Sequence, residues 1–124
     1  LLTDAHSKNI ECGFYSPFLQ SITRNRTTRI LGCNFSCARA DLLRINGFNE
    51  DYVNPGTGED TDIDWRLRKI GVRLVNVKFS AIQYHLDHKR SYQRSEENQA
   101  ILKRTMRQGE YICVNGIDKH RHDR

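Results

Sequence analysis

Residues 58–71, with the sequence GEDTDIDWRLRKIG, place four carboxylates within six positions and then become basic and apolar. Ile63, Leu67 and Ile70 recur at i, i+4 and i+7, which predicts the apolar stripe of an amphipathic helix. The acidic residues fall at its N-terminal end, where the helix dipole stabilises negative charge, and Gly71 predicts its end. The pattern therefore predicts a helix whose first turns concentrate negative charge.

The remaining patterns predict a mixture of strands and helices. Near period-two spacing of apolar residues predicts a strand over 30–37, and residues 72–77 and 79–86 have the same character. A short helix is predicted from Asp41 until Asn46-Gly47, and a C-terminal helix between an N-cap at Ser95 and a stop at Gly109, with Ala100, Ile101 and Met106 toward the core. The predicted fold class is α/β, a small mixed sheet with flanking helices.

Length and charge limit the possible functions. The 124 residues fit one modest domain, and the absence of an initiator Met is interpreted as the mark of a piece of a longer protein. The net charge of +5 and the pI near 9.2 favour anionic partners such as phosphates, nucleotides or nucleic acid. No apolar run approaches the roughly 20 residues that a membrane span needs. No zinc-finger spacing or RNP motif is present, so only net charge supports nucleic-acid binding.

Cysteines and histidines raise the alternative of a zinc site. Cys33, Cys37, His85 and His88 are the right ligand types, but their spacings differ from the usual finger patterns. The number and uneven spacing of the four cysteines do not suggest a disulfide framework. We interpret the cysteines as reduced and mostly packing residues.

Three explanations account for the acidic cluster. Asp60, Asp62 and Asp64 begin like an EF-hand loop, but Trp65 replaces the required Gly and Gly71 the bidentate Glu, so calcium is rejected. The cluster can simply decorate a helix start. Alternatively, one carboxylate projects into a cleft and accepts a proton from a hydroxyl group.

Five motifs in order carry a family resemblance over roughly residues 30–120. The chain resembles the C-terminal, acceptor-binding half of family 2 glycosyltransferases, especially the bacterial galactosyltransferase-like enzymes of surface polysaccharide synthesis. The motifs are Gly32-Cys33-Asn34-Phe35-Ser36, Arg39 to Asp41, Gly47-Phe48-Asn49-Glu50, Gly58-Glu59-Asp60 and His85-Leu86-Asp87-His88. Residues 1–29 are predicted to be an irregular or weakly helical connector and residues 121–124 a frayed tail, while the resemblance implies that residues 30–120 are the acceptor-side part of a glycosyltransferase domain.

The resemblance implies a partial GT-A fold that works with a nucleotide-sugar, of which a UDP-sugar is the expected type, and with Mn²⁺ or Mg²⁺. It implies that Asp60 is the base of an inverting transfer and that Glu59 orients the saccharide acceptor. It further implies that His85 is a metal ligand, while Asn34 and Ser36 are expected to line the cleft floor. No Asp-x-Asp motif precedes a nucleotide-binding strand array, so the donor half is expected upstream and the isolated piece is expected to be inactive.

The same interpretation predicts the setting of the protein. The enzyme is expected in the cytoplasm, at the inner face and periphery of a membrane, without a nucleic-acid partner. An open sheet edge predicts self-association of the piece. The alternative is a small basic binding module for an anionic partner such as nucleic acid, in which Asp60 only decorates the helix start.

Overall fold

The computed structural model describes residues 13–83 and 94–120, and this part of the chain consists of helices joined by extended segments and turns. The helices are α1 (Pro17–Thr23), α2 (Arg39–Arg44), α3 (Glu59–Lys69) and α4 (Glu96–Gln108), followed by a short 3₁₀ helix (Ile117–His120). Among the described residues, no helix has the length and apolar character that crossing a membrane requires.

The described residues divide into two compact units. The first unit comprises residues 13–28 and 75–83 and contains α1. The second unit comprises residues 29–74 and 94–120 and contains α2, α3, α4 and the 3₁₀ helix.

Backbone hydrogen bonds and one aromatic pair hold the first unit together. The Ser16 N–H donates to the Phe79 carbonyl at 3.0 Å, and the Asn76 N–H donates to the Arg24 carbonyl at 3.1 Å. The rings of Phe14 and Phe79 lie 5.2 Å apart between centroids. These contacts connect both ends of α1 to the segment 75–80.

The apolar core of the second unit forms around one face of α3. Ile63 and Leu67 of this helix are fully buried together with Ile45, and Ile30 is buried beside them. Partly buried residues complete the cluster: Phe35, Leu42, Ile70, Val72 and Leu74. The predicted apolar stripe of α3 is therefore confirmed.

The predicted α/β fold with a partial GT-A mixed sheet is wrong, because residues 13–83 and 94–120 contain no strand. Residues 30–37 are interrupted by a turn in which the Asn34 N–H donates to the Leu31 carbonyl at 2.8 Å. The Ile30 N–H donates to the Asp64 carboxylate at 2.8 Å rather than to a neighbouring strand. Of the alternating apolar residues, Ile30 and Phe35 pack on the core around α3, whereas Leu31 and Cys33 are exposed, so the alternation does not mark one covered side.

The two other predicted strands are also not formed in the described residues. Residues 72–77 follow α3 without a partner strand, and Val72 and Leu74 pack on the core from this segment. Residues 79–81 form a turn and a bend, in which the Ser80 N–H donates to the Val77 carbonyl. Residues 82–83 are irregular, and the rest of the predicted strand 79–86 lies outside the described residues.

The helix ends follow the sequence signals. Gly71 ends α3 with a φ of 87°, and the Val72 N–H donates back to the Leu67 carbonyl at 3.0 Å. The hydroxyl of Ser95 accepts from the Asn98 N–H at 3.2 Å at the start of α4, and Gly109 ends that helix in the left-handed conformation. These predicted boundaries of α3 and α4 are confirmed.

The predicted inner face of α4 is wrong for two of its three residues, and only Ile101 is half-buried. Ala100 and Met106 are exposed, whereas Asn98 is fully buried. The amide of Asn98 donates to the carbonyls of Asn54 at 2.6 Å and Thr57 at 2.8 Å. α4 is oriented by polar contacts to the loop before α3, which an apolar pattern does not reveal.

A buried ion pair fastens α3 to the end of α2. The guanidinium of Arg66 is fully buried and contacts Oδ2 of Asp62 through Nε at 2.7 Å and through Nη2 at 2.7 Å. Its Nη1 donates to the carbonyls of Ile45 and Gly47, each at 2.9 Å. Because these carbonyls follow the last turn of α2, Arg66 supplies donors to the chain that leaves this helix, and the Ile45 carbonyl also accepts from the Cys113 N–H at 3.4 Å.

Asn46 fastens the C-terminal segment to the same place. Its amide nitrogen donates to the Cys113 carbonyl at 2.9 Å and to the Asp118 carboxylate at 2.7 Å, and its amide oxygen accepts from the Asp118 N–H at 3.0 Å. Asn46 has a φ of 63°, a conformation that Asn tolerates better than most residues. The hydrogen bond from Asn46 lowers the pKa of Asp118 below its usual value.

Replacing Arg66 by Met is expected to lower the free energy of unfolding by about 3–5 kcal/mol, because Asp62 becomes an uncompensated buried charge. Burial already raises the pKa of Asp62, so its folded form binds a proton more tightly than its unfolded form. Because Arg66 lowers the pKa of Asp62, its removal raises this pKa further, and the loss in Arg66→Met should be largest above the Asp62 pKa of the variant and should shrink as the pH falls through it. Urea titrations over a pH series measure the effect.

The double variant Arg66→Met with Asp62→Asn provides the control, because it removes the buried charge as well as its partner. It should regain part of the lost stability at neutral pH. Equal stability of the single and double variants would contradict the assigned role of the pair.

Replacing Asn46 by Gly is expected to keep the backbone conformation but to raise the pKa of Asp118 toward its usual value. The lowered pKa stabilises the wild-type protein above the unfolded pKa of Asp118, and this gain disappears as the pH falls through the folded pKa. NMR titration of the side-chain carboxyl carbons measures the change. Asn54→Ala, at a site before α3, should leave the titration of Asp118 as it is, and a wild-type pKa in Asn46→Gly would refute the explanation.

Candidate functional site

The four carboxylates at the start of α3 separate into a buried and a half-buried pair. Asp62 and Asp64 are buried, whereas Glu59 and Asp60 retain partial exposure. The two pairs differ in their partners as well as in their burial, which divides structural from candidate functional residues.

Asp62 belongs to a buried polar cluster. Besides Arg66, its neighbour is Tyr52, whose pKa is raised above its usual range by burial first and then by the charge of Asp62. Oδ1 of Asp62 and the hydroxyl oxygen of Tyr52 are buried and form no hydrogen bond of standard geometry with described residues. The phenol therefore stays protonated next to a carboxylate that the ion pair with Arg66 already engages.

Asp64 is also engaged in holding the structure. Its Oδ2 accepts from the Ile30 N–H at 2.8 Å, and its Oδ1 accepts from Nε of Arg68, one helical turn later. These contacts fix the chain just before the turn 31–34 to α3. Both oxygens of Asp64 thus have partners, which makes this residue a poor candidate for accepting a substrate proton.

Glu59 closes the turn before α3. Its Oε1 accepts from the Gly56 N–H at 3.2 Å, while its Oε2 is buried without a hydrogen-bond partner among the described residues. Oε1 of Glu59 is therefore engaged in closing the turn, and Oε2 is buried away from solvent. Its expected role in orienting an acceptor stays a prediction.

Among the described residues, Asp60 has fewer polar partners than the other three carboxylates of the cluster. Within residues 13–83 and 94–120 its side chain takes part in no hydrogen bond or ion pair, and the N-cap of α3, Gly58, receives no side-chain cap. The carboxylate instead lies over the backbone of Gly32, where an added Cβ would be 2.2 Å from Oδ1 of Asp60. Asp60 is consequently not a cap of its own helix, and it faces the turn 31–34.

The other predicted site residues are distributed around this turn. Asn34 closes the turn by its backbone N–H and its side chain is exposed, and Ser36 is exposed in the extended segment that follows. The structure thus brings the turn that contains Asn34 next to Asp60, whereas it gives no contact between Ser36 and Asp60. His85 lies outside the described residues, so its predicted convergence with Asp60 stays a prediction.

Sequence reasoning missed the contact between Gly32 and Asp60. A signal for it existed, because a glycine inside an apparent strand often marks the close approach of another group to the backbone. Reasoning from sequence also missed Tyr52, which lies in a loop whose composition gives no indication of burial.

The described residues do not provide a ready metal centre. Residues 13–83 and 94–120 contain no group of three or more His, Cys, Asp or Glu side chains arranged to hold a metal ion. The predicted ligand His85 lies outside these ranges, as does His88 of the alternative zinc set, in which Cys33 is exposed and Cys37 half-buried. The described carboxylates alone therefore do not fit a divalent metal site.

Comparison with known proteins gives one match. The family model described as the N-terminal domain of galactosyltransferase matches residues 14–89, which is more than half of the chain. The matched range includes Gly32 and all five predicted site residues, which are Asn34, Ser36, Glu59, Asp60 and His85. No curated protein and no solved structure matches the chain.

Proposed function

The chain belongs to the family of the N-terminal domain of galactosyltransferase, and from this premise we propose that it forms part of an inverting glycosyltransferase in which Asp60 is the catalytic base. The family supports a glycosyltransferase-type function. Assignment to family 2, to its acceptor-binding half and to hexosyl transfer belongs to the proposal. The observation that carries the base assignment is the half-buried Asp60 carboxylate, which has no partner in the described residues and faces the turn 31–34.

The proposed reaction transfers a sugar from a nucleotide-sugar, expected to be a UDP-sugar, to a hydroxyl of a saccharide acceptor. An oxygen of Asp60 accepts the proton of this hydroxyl while the hydroxyl oxygen forms a bond to the anomeric carbon of the donor. The bond from the anomeric carbon to the diphosphate oxygen breaks, and the nucleoside diphosphate leaves with the electron pair. A single displacement of this kind inverts the configuration at the anomeric carbon.

The neighbours of Asp60 support this assignment by elimination. Asp62 and Asp64 are held by Arg66, Ile30 and Arg68, so proton transfer from a substrate would require breaking native contacts. Glu59, which precedes Asp60 at the start of α3, is proposed to orient the acceptor sugar. Asn34 and Ser36 are proposed to contact the same sugar from the exposed segment 34–36.

Metal dependence is a separate part of the proposal and depends on His85. A divalent Mn²⁺ or Mg²⁺ would offset the negative charge of the leaving diphosphate. Because the described residues do not form a metal site by themselves, the proton transfer to Asp60 is proposed without a metal in that step.

The setting of the reaction is also proposed. We propose that the protein acts in surface polysaccharide synthesis at the cytoplasmic face and periphery of a membrane, with no nucleic-acid partner. Self-association was expected from an open sheet edge, but the described residues contain no strand, so this argument no longer supports it. Self-association itself stays a prediction.

Replacing Asp60 by Asn in the intact protein is expected to lower kcat by about 10²–10⁴-fold, because the amide cannot accept the proton of the acceptor hydroxyl. The affinity for the donor should change little, since Asp60 is assigned to the acceptor. Transfer from radiolabelled UDP-galactose to a panel of saccharides measures turnover, and calorimetric titration with UDP measures donor-side binding. The exposed Glu110→Gln removes the same charge elsewhere and should keep wild-type turnover. Undiminished turnover in Asp60→Asn would eliminate Asp60 as the base.

Replacing His85 by Ala is expected to weaken Mn²⁺ binding by at least about 10-fold, because the imidazole is the proposed metal ligand. Electron paramagnetic resonance of free Mn²⁺ measures this directly and does not require activity. His120→Ala, which removes an exposed histidine beside Glu50, should bind Mn²⁺ like the wild type. Equal affinities of the His85→Ala and wild-type proteins would rule out His85 as a ligand.

A further inference from the structure

We propose that Gly32 is a positioning residue for the Asp60 carboxylate: the absence of a side chain at position 32 holds the proposed base where it can meet the acceptor hydroxyl. This inference rests on the proposed function. Gly32 is not among the residues proposed to bind the substrates or to transfer the proton, and its role would make the turn 31–34 part of the site.

The contact geometry carries the inference. A Cβ at position 32 would lie 2.2 Å from Oδ1, 3.1 Å from Cγ and 3.4 Å from Oδ2 of Asp60, so it would meet the whole carboxyl group. The first of these distances is far below van der Waals contact. The carboxylate therefore occupies the space that any other residue type at position 32 would fill.

Backbone conformation does not explain the glycine. The φ of Gly32 lies outside the left-handed region, in contrast to the positive φ values of Gly58 and Gly71. The turn is closed by the hydrogen bond from the Asn34 N–H to the Leu31 carbonyl, which leaves position 32 open to other residues. What requires glycine here is the approach of Asp60.

A methyl group added at position 32 is expected to displace the Asp60 side chain and to leave the fold unchanged. The clashing atoms are the far end of a side chain with two rotatable bonds, which can turn away from the turn 31–34. No described hydrogen bond or ion pair of Asp60 would be broken by this rotation. Alanine at a glycine position with a compatible backbone also reduces the entropy of the unfolded chain, which favours folding.

Gly32→Ala is therefore expected to keep or slightly raise the melting temperature and to lower kcat by about 100-fold. A displacement of a catalytic group by about 1 Å causes a loss of this size. Acceptor turnover of the intact protein and thermal unfolding measure the two quantities. Gly71→Ala is the matched control, because its Cβ would meet nothing within 4 Å while its φ of 87° is unfavourable for alanine. Gly71→Ala should lower the melting temperature and leave kcat unchanged.

Two further measurements separate this inference from the base assignment. The ¹³C resonance of the Asp60 carboxyl group should shift in Gly32→Ala and stay in place in Gly71→Ala, whether or not the protein is active. In the Asp60→Asn background, Gly32→Ala should cause no additional loss of kcat. An unshifted Asp60 resonance, a wild-type kcat in Gly32→Ala, or a further loss in the double variant would overturn the role of Gly32. Wild-type turnover in Asp60→Asn would overturn the proposed function instead, even if the resonance moves.

Discussion

The second unit depends on one buried cation, the guanidinium of Arg66. A buried charge must be balanced, and here Asp62 supplies the opposite charge while the carbonyls of Ile45 and Gly47 accept hydrogen bonds from Nη1 of Arg66. Because these carbonyls end α2, the interaction fixes α2 against α3. Asn46 lies between them and fastens the segment 113–118, so the same charge indirectly holds the C-terminal part of the unit. The burial of Arg66 also decides that Asp62 is structural, since its removal would leave a cation without compensation.

Local sequence signals were sufficient for α3 and α4 but not for the segments between them. The apolar spacing of α3, Gly71, Ser95 and Gly109 act within a few residues of themselves, and the elements they predict are present. The strand predicted over 30–37 failed because its outcome depends on a contact over a long sequence separation, in which Asp64 takes the N–H of Ile30. Alternating apolar residues by themselves do not show that one side of an extended segment is covered, since Ile30 and Phe35 pack on the core while Leu31 and Cys33 are exposed.

The candidate site could be read from the sequence in part. Helix spacing pairs Asp62 with Arg66 and Asp64 with Arg68 at i and i+4, and both pairs form. Neither Glu59 nor Asp60 has a basic residue at i+4, so the same rule leaves both as carboxylates of α3 without a cation on their own helix. The rule cannot place Asp60 against Gly32, because that contact joins segments that are distant along the chain. Neither can it assign Tyr52, whose burial results from the packing of a loop.

The position of Asp60 runs against the usual preference of an acidic residue in the first turn of a helix. Such a residue commonly stabilises the orphan N–H groups of that turn, yet the carboxylate of Asp60 takes no hydrogen bond from them. The same helix begins at Gly58 without a side-chain cap, so its N-cap offers no side-chain acceptor to the N–H groups of the first turn. The Asp60 carboxylate therefore does not stabilise its own helix, and the glycine at position 32 leaves space for it to face the turn 31–34. At this one point the local preference of the residue and its position in the fold disagree. Departures of this kind concentrate at functional sites, because a reacting group must be held for its substrate rather than for the fold. This reasoning favours Asp60 over its three acidic neighbours independently of any sequence motif.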